Sequence, residues 1–197
     1  YYIDLRILSS YPSVLRQVGK VMGEMILSST ERPSVLCGIP AAGLAIANAT
    51  SFETNIPVFY TKKEPIVYKE LSAYFRNLLE KSEEEEGFPP IERLGIEKAV
   101  EIIDSLSGLK AHGIPRYVDG DFKDAAKVGI VDDLITTAES KLEARDLIML
   151  DAKRRGLNLN VVGVYVLLDR EQGGREALKR QGLELCSVAT IRQVAQW

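Results

Sequence analysis

One segment, residues 128–140, constrains the fold of this chain more than any other. It begins with a short apolar run, continues with two adjacent carboxylates, and ends in a hydroxyl-rich turn before a helix that begins near Ser140. A buried strand that passes through a polar turn into a helix is the repeating unit of parallel α/β proteins. We therefore predict a strand over residues 127–131 and a helix over residues 142–155.

Strand and helix patterns alternate along most of the chain. Residues 161–168 form a near-continuous, valine-rich apolar run that is typical of a central strand covered on both faces. This alternation predicts a parallel sheet with right-handed crossovers, whose ligands bind outside the carboxyl ends of the strands. The other predicted elements are a helix over residues 14–27, strands over residues 34–37 and 57–60, and a helix over residues 44–50 that follows a loop at residues 38–43.

Residues 66–109 break this alternation. Their apolar residues form two amphipathic faces, one before and one after the acidic run at residues 83–86, and this spacing predicts two helices joined by a polar turn. Residues 65–109 contain ten acidic and five basic residues, whereas the whole chain has a net charge of −3, so the rest of the chain carries +2. A run of four glutamates is typical of a solvated turn, and we assign no chemistry to it.

Composition excludes several classes of protein. A chain of 197 residues with 46% hydrophobic residues is expected to form one α/β domain over residues 1–197. It has no apolar run near the ~20 residues of a membrane span, and a mildly basic body suits small anionic substrates rather than nucleic acid. Cys37 and Cys186 are too few and too far apart for a disulfide framework or a zinc site, and no secretory signal is recognisable. We therefore expect a reduced, cytoplasmic protein.

The polar half of residues 128–140 suits a phosphorylated ribose. The carboxylates of Asp132 and Asp133 can accept hydrogen bonds from the 2′ and 3′ hydroxyls of a ribose ring. Thr136, Thr137 and Ser140 offer hydroxyls beside the N-terminus of the predicted helix, where backbone N–H groups and the helix dipole favour a phosphate. From the residues alone, the alternative is a buried strand that ends in an ordinary polar turn.

This pattern resembles the 5-phosphoribosyl 1-pyrophosphate (PRPP) motif of type I phosphoribosyltransferases, and most closely that of orotate phosphoribosyltransferases. The resemblance implies a central, mostly parallel sheet flanked by helices, here with an inserted helical hairpin. It also implies transfer of the phosphoribosyl group from PRPP to orotate, which gives orotidine 5′-phosphate and pyrophosphate in pyrimidine biosynthesis. Mg²⁺ would be the cofactor, held mainly by PRPP rather than by protein ligands, and the assembly would be a homodimer.

Two basic clusters flank the predicted hairpin. The sequence Lys-Lys-Glu-Pro precedes it at residues 62–65, and Lys-Ala-His-Gly follows it at residues 110–113. Orotate phosphoribosyltransferases carry a similar sequence in the mobile loop that closes over the substrates, so the resemblance makes residues 66–109 an insertion within that loop. The catalytic residues that it implies are Lys110, His112, Asp132 and Asp133, and the PRPP-binding residues are Lys62, Lys63, Asp132, Asp133, Thr136, Thr137 and Ser140.

Segments near both ends of the chain extend the resemblance. Residues 2–6 resemble the segment that lies along the orotate ring, to which Tyr2 and Ile3 would offer backbone groups. Residues 168–174 resemble the stretch whose arginine, here Arg170, meets the orotate carboxylate. The resemblance also implies that Thr136 contacts orotate and that residues 38–43 form the pyrophosphate loop.

The turn at residues 136–140 departs from the family pattern. The family usually has glycine where this chain has Ala138, and Glu139 follows it. Alanine fits there if its φ angle is negative, and Glu139 is harmless to a phosphate only if it points outward. This departure and the insertion keep open a non-catalytic or regulatory relative that binds PRPP or a nucleotide. A phosphoribosyltransferase for another base also stays open, because the family's usual segment before Tyr2 is not part of this sequence.

Overall fold

The computed structural model describes residues 3–62, 66–84, 88–107 and 117–196 of the chain. The chain divides into two compact units, of which the first comprises Tyr1–Lys62 and Tyr117–Trp197 and the second comprises Lys63–Arg116. Among the described residues, no helix is both long enough and apolar enough to cross a membrane.

Strands and helices alternate through the first unit, as the sequence predicts. The strands are β1 (Val35–Gly38), β2 (Val58–Thr61), β3 (Val118–Asp119), β4 (Ala126–Ile135), β5 (Leu159–Asp169) and β6 (Glu184–Thr190). The helices of the two units are α1 (Pro12–Leu27), α2 (Ala42–Thr54), α3 (Ile66–Glu84), α4 (Pro90–Ser107), α5 (Glu139–Arg155), α6 (Gly174–Arg180) and α7 (Ile191–Val194), and a 3₁₀ helix spans Leu5–Ser10.

The strands form one sheet in the order β3-β2-β1-β4-β5-β6. β2 and β3 pair antiparallel, whereas the other neighbours pair parallel. This topology confirms the predicted α/β class and its mostly parallel sheet. Because parallel strands end at the same edge, the loops that follow β1, β4 and β5 leave the sheet on one side.

The strand β4 is longer than the sequence predicts, and this moves the acidic pair. The strand was predicted over residues 127–131, with the carboxylates after it, but it continues to Ile135. β1 pairs with β4 only as far as Gly38 opposite Val131, whereas β5 stays paired with β4 up to Asp169 opposite Ile135. The prediction was wrong about this boundary because the partner strand β5 supplies backbone hydrogen bonds that hold polar residues in the sheet. The last residues of β4 therefore project beyond β1.

The apolar core lies on both faces of the sheet. Ile130 belongs to one buried cluster, and the next residue, Val131, belongs to a second. The first cluster includes Ile148 of α5, and the second includes Met22 and Ile26 of α1. Successive side chains alternate across a strand, so a near-continuous apolar strand faces helices on both sides, as predicted for the central strands. Each fully buried aliphatic side chain contributes roughly 1.5–3 kcal/mol by leaving water.

The second unit contains the two predicted helices. α3 and α4 pack against each other, and they have the amphipathic spacing that predicts them. Within α3, the rings of Tyr74 and Phe75 meet edge to face at 5.5 Å between centroids. The helical hairpin is thus confirmed, whereas its role as an insertion within a mobile loop stays a prediction.

Candidate functional site

The start of α2 lies close against the end of β4 because glycine stands there. A Cβ atom added at Gly43 would lie 2.6 Å from the carbonyl oxygen of Val131 and 3.0 Å from Oδ1 of Asp132. Only a residue without a side chain permits this approach. The loop at residues 38–43 therefore lies against the acidic end of β4, and the peptide bond between Pro40 and Ala41 within it is cis.

The loop after β5 lies against the other side of the same strand end. A Cβ atom at Gly174 would lie 2.5 Å from the carbonyl oxygen of Thr136. The backbone N–H of Arg170 donates a hydrogen bond to the carbonyl oxygen of Ile135, at 3.0 Å. The loop at residues 38–43, the turn after β4 and the loop after β5, which the sequence predicts to bind PRPP or orotate, thus lie together around the end of β4.

Asp132 is buried, with 7% of its surface exposed, and it forms an ion pair with a buried lysine. Nζ of Lys141 lies 2.6 Å from Oδ2 of Asp132. The other carboxylate oxygen, Oδ1, accepts a hydrogen bond from the backbone N–H of Asp133 at 2.9 Å. The sequence analysis did not identify Lys141, although it shares the buried face of α5 with Ala144 and Ile148. A lysine at an otherwise apolar position of that stripe is the signal that could have revealed it.

The pKa of Asp132 reflects opposing influences. Burial raises the pKa of this carboxyl from 3.8 to about 6, and the ammonium of Lys141 limits the rise. The neighbouring carboxylate of Asp133 adds a smaller upward contribution. Asp132 is therefore ionised at neutral pH, with a lysine as its counter-ion.

Asp133 is the more accessible member of the acidic pair. Its side chain is half-buried, and its Oδ1 accepts a hydrogen bond from the backbone N–H of Leu134 at 2.8 Å. An ionised carboxylate has about four lone-pair positions, so Asp133 keeps acceptor capacity for a ligand hydroxyl. The two carboxylates thus differ in role: Asp132 is tied into the protein, and Asp133 is the one open to a ligand.

In the turn before α5, an alanine has the left-handed backbone conformation that glycine usually adopts. Ala138 caps the helix with φ of 73° and is buried. A negative φ was predicted as the condition for alanine to fit this turn, but the φ of Ala138 is positive. A left-handed conformation costs an L-residue about 1–2 kcal/mol, so the turn is maintained against local strain.

The hydroxyls of this turn and Glu139 all lie near the N-terminus of α5. Thr137 and Ser140 are exposed, and Thr136 is half-buried. Glu139 lies in the first turn of α5 and is exposed. A carboxylate at this position is favoured by the helix dipole and would compete with a phosphate for the same N–H groups.

Lys62 lies two strands away from the acidic pair. It follows β2, and its ammonium lies 3.0 Å from Oδ1 of Asp119 on the neighbouring β3. Its backbone N–H also donates to the carbonyl oxygen of Tyr117 at 2.9 Å. The structure therefore engages Lys62 at the edge of the sheet rather than bringing it to the acidic pair.

The structure describes only part of the segment at residues 2–6, which was predicted to lie along the orotate ring. Ile3 is half-buried, and Asp4 caps the 3₁₀ helix that follows by accepting from the backbone N–H of Arg6 at 3.0 Å. A cavity between this helix and α2 is lined by Leu8 and Ala42, among others. Four predicted site residues lie outside the described residues, namely Tyr2, Lys63, Lys110 and His112.

Comparisons with known proteins agree with this geometry. No protein-family model matches the chain. The chain is 26% identical over 195 residues to the bifunctional enzyme PyrF/PyrE of Nostoc sp., covering 98% of the chain and 30% of that protein. It is 25% identical over 193 residues to orotate phosphoribosyltransferase of Caenorhabditis elegans, covering 98% of the chain and 63% of that protein. The chain thus spans less than two thirds of both relatives.

Solved structures share the fold. The crystal structure of orotate phosphoribosyltransferase from Aeropyrum pernix matches with a TM-score of 0.64 and 22% identity, covering 99% of this chain and 81% of that one. A similarity of this kind over nearly the whole chain establishes a common architecture. The predicted fold class is thereby confirmed.

Proposed function

We propose that this chain, which has the type I phosphoribosyltransferase fold and is similar in sequence to orotate phosphoribosyltransferases, transfers the phosphoribosyl group of PRPP to orotate. The products would be orotidine 5′-phosphate and pyrophosphate. One observation carries the proposal. The acidic end of β4 lies between the loop at residues 38–43 and a helix N-terminus, in the order that a pyrophosphate, a ribose and a 5′-phosphate require.

The described residues divide the substrate between them. Asp133, supported by Asp132, would accept hydrogen bonds from the ribose hydroxyls. The turn before α5 would bind the 5′-phosphate through backbone N–H groups and the hydroxyls of Thr136, Thr137 and Ser140. The pyrophosphate would lie along residues 38–43, which contact the same strand end.

Other groups would serve the leaving group and the acceptor base. As the bond from C1 to pyrophosphate breaks and a bond from C1 to a ring nitrogen of orotate forms, negative charge develops on the pyrophosphate. Lys63 and Lys110 would neutralise this charge, and His112 would donate a proton or hydrogen bond to the departing oxygen. Lys62 would join the two lysines only by leaving its ion pair with Asp119. Arg170 would pair with the orotate carboxylate, beside the backbone groups of Tyr2 and Ile3.

Mg²⁺ fits this site as part of the substrate complex. Asp132 already has Lys141 as its counter-ion at 2.6 Å, so Asp133 is the acidic side chain better placed to meet a hydrated cation. Mg²⁺ keeps several waters and prefers phosphate oxygens to all-protein cages. When bound, it would neutralise charge on the pyrophosphate.

A spectrophotometric assay with orotate, PRPP and Mg²⁺ tests the proposal through Asp133→Asn and the double variant Asp132→Asn/Asp133→Asn. Asp133→Asn is the cleaner change, because Asp132→Asn leaves the ammonium of Lys141 without its counter-ion. We expect turnover to fall by roughly 100-fold or more through loss of contacts to the reacting ribose. Asp146→Asn, an exposed change on α5, is the control and should leave turnover unchanged. Wild-type-like turnover in the double variant would contradict the proposed function.

A second candidate function is binding of PRPP or a nucleotide without catalysis. The positive φ of Ala138 and the carboxylate of Glu139 in the phosphate-binding turn favour it. Such a protein would bind PRPP in calorimetry but give no loss of orotate absorbance.

A phosphoribosyltransferase for another base would bind PRPP yet fail to bind orotate.

The assembly and location belong to the same proposal. We infer a homodimer from the resemblance and a cytoplasmic location from the composition. Light scattering at micromolar concentration measures the mass directly, and a monomer there would contradict the dimer.

A further inference from the structure

Lys141 connects the two halves of the site. Its ammonium lies 2.6 Å from Oδ2 of Asp132 and donates hydrogen bonds to the carbonyl oxygen of Leu134 at 2.7 Å and to Oγ of Ser140 at 3.3 Å. Two of these partners belong to the end of β4, and the third lies in the first turn of α5. An ammonium has three N–H donors, so its donor capacity is matched by these partners.

Both the burial of Lys141 and its position in a helix disfavour its positive charge. Only 4% of its surface is exposed, although lysine is almost never fully buried unless it is paired. It also stands in the first turn of a helix, where the dipole disfavours a positive charge. A residue that is unfavourable for both reasons is maintained by its partners, here the carboxylate of Asp132.

The ammonium of Lys141 lowers the net negative charge of the acidic pair. Two adjacent carboxylates would repel a polyanion such as PRPP. The ammonium of Lys141 neutralises the carboxylate of Asp132 inside the protein, so that Asp133 can orient ribose hydroxyls without a second uncompensated charge beside it. The same ammonium ties the phosphate-binding turn to the strand that carries the acidic pair.

We propose that Lys141 is a positioning residue for PRPP, which fixes the Asp132 carboxylate and the phosphate-binding turn relative to each other before the substrate binds. This inference rests on the proposed function. It assigns Lys141 no direct contact with the substrate. Its effect should therefore appear in PRPP affinity rather than in the chemical step.

The test compares Lys141→Met and Lys141→Gln with the wild-type chain. Calorimetry with PRPP and Mg²⁺ measures the dissociation constant, and steady-state kinetics separate KM for PRPP, KM for orotate and kcat. Lys153→Met, an exposed change on the same helix, is the matched control. We expect Lys141→Met to weaken PRPP binding by roughly tenfold or more, as loss of a charge-assisted hydrogen bond does. KM for orotate and kcat at saturating PRPP should change by less than about threefold, a difference small on the scale of binding energies.

Each result has a defined meaning. A purely structural lysine would lower the unfolding midpoint while KM for PRPP stayed at the wild-type value, and this result would overturn the inference. If Lys141→Met does not fold, Lys141→Gln carries the test, because its amide can still donate to Leu134 while the positive charge is lost. If the wild-type chain binds PRPP and both variants bind it with the same affinity, the inference is contradicted and the proposed function is not. Absence of PRPP binding by the wild-type chain contradicts the proposed function and the inference together.

Discussion

Asp132 shows how one residue can be set by forces that act in opposite directions. Burial disfavours its charge, whereas the ammonium of Lys141 favours it. The result is a carboxylate that is ionised at neutral pH but binds its proton more tightly than an exposed aspartate does. Asp133, one residue further along, is half-buried, and the ammonium of Lys141 pairs with Asp132 instead.

This balance gives a prediction on the pH dependence of stability. Because the pKa of Asp132 rises from 3.8 in the unfolded chain to about 6 in the folded protein, the folded state keeps a proton that the unfolded state releases. The stability contributed by Asp132 is therefore fully present below pH 3.8 and is lost as pH rises through about 6. Carboxyl ¹³C resonances should show Asp132 titrating near pH 6. Urea unfolding at several pH values should show that this part of the pH dependence of the free energy of unfolding is lost in Asp132→Asn. A midpoint near pH 4 would contradict the prediction.

At the scale of elements, the site depends on how closely α2 and α6 approach β4. Gly43 and Gly174 lie so close to the carbonyl oxygens of Val131 and Thr136 that an added Cβ atom would stand only 2.6 Å and 2.5 Å from them. These contacts set the distance between the loop at residues 38–43, the acidic pair and the turn before α5. Close backbone approach at these two glycines therefore helps to set the spacing of the loops around the end of β4.

Adding one methyl group at Gly43 tests this dependence. We expect Gly43→Ala to lower the free energy of unfolding by about 1–3 kcal/mol, because the new Cβ overlaps the Val131 carbonyl and α2 must shift. PRPP affinity should fall with it. The matched control is Gly95→Ala in α4, where a Cβ meets nothing within 4 Å.

The control should behave in the opposite way. Alanine is a better helix former than glycine by about 0.5–1 kcal/mol, so Gly95→Ala should not destabilise the chain. Urea unfolding of the two variants measures both effects. Equal stability of Gly43→Ala and the wild type would show that α2 can move away from β4 freely.

At the scale of the whole molecule, the chain leaves the first unit and returns to it at neighbouring points. Lys62 donates its backbone N–H to the carbonyl oxygen of Tyr117, and β2 pairs with β3 immediately beside this bond. The return point is anchored, since Oδ1 of the buried Asp151 accepts from the N–H of Tyr117 at 3.0 Å and Arg155 lies 2.6 Å from the other carboxylate oxygen. These bonds hold the two chain ends of the first unit side by side.

A deletion tests this closure. Joining Pro65 directly to Lys110 removes residues 66–109 and leaves a short loop between Lys62 and Tyr117. We expect the shortened chain to fold, because loop closure costs only about 0.6 kcal/mol per doubling of loop length. A single cooperative thermal transition, with a circular dichroism spectrum that loses only the helical signal of α3 and α4, would support this. A shortened chain without cooperative unfolding would show that the first unit needs the hairpin.

The sequence predicted the central elements well because their signals are local and strong. The valine-rich run that became β5 and the amphipathic spacing of α1 each fix an element by its own periodicity, and Gly156 marks the end of α5. β6 and β3 were not predicted, since Glu184–Thr190 and Val118–Asp119 are short and partly polar. They are strands because the edges of β5 and β2 offer unpaired backbone groups to them.

The sequence by itself determined the fold class, the acidic pair and the order of the segments around it, because strand and helix periodicity and residue type need no knowledge of distant contacts. Only the tertiary structure decided that the acidic pair lies within β4, that Ala138 adopts a positive φ, and that Lys141 is the counter-ion of Asp132. Each of these depends on a partner supplied by another element: the backbone of β5, the packing of the turn, and the carboxylate at the end of a neighbouring strand. Burial and charge pairing arise between elements, and a linear pattern does not record them.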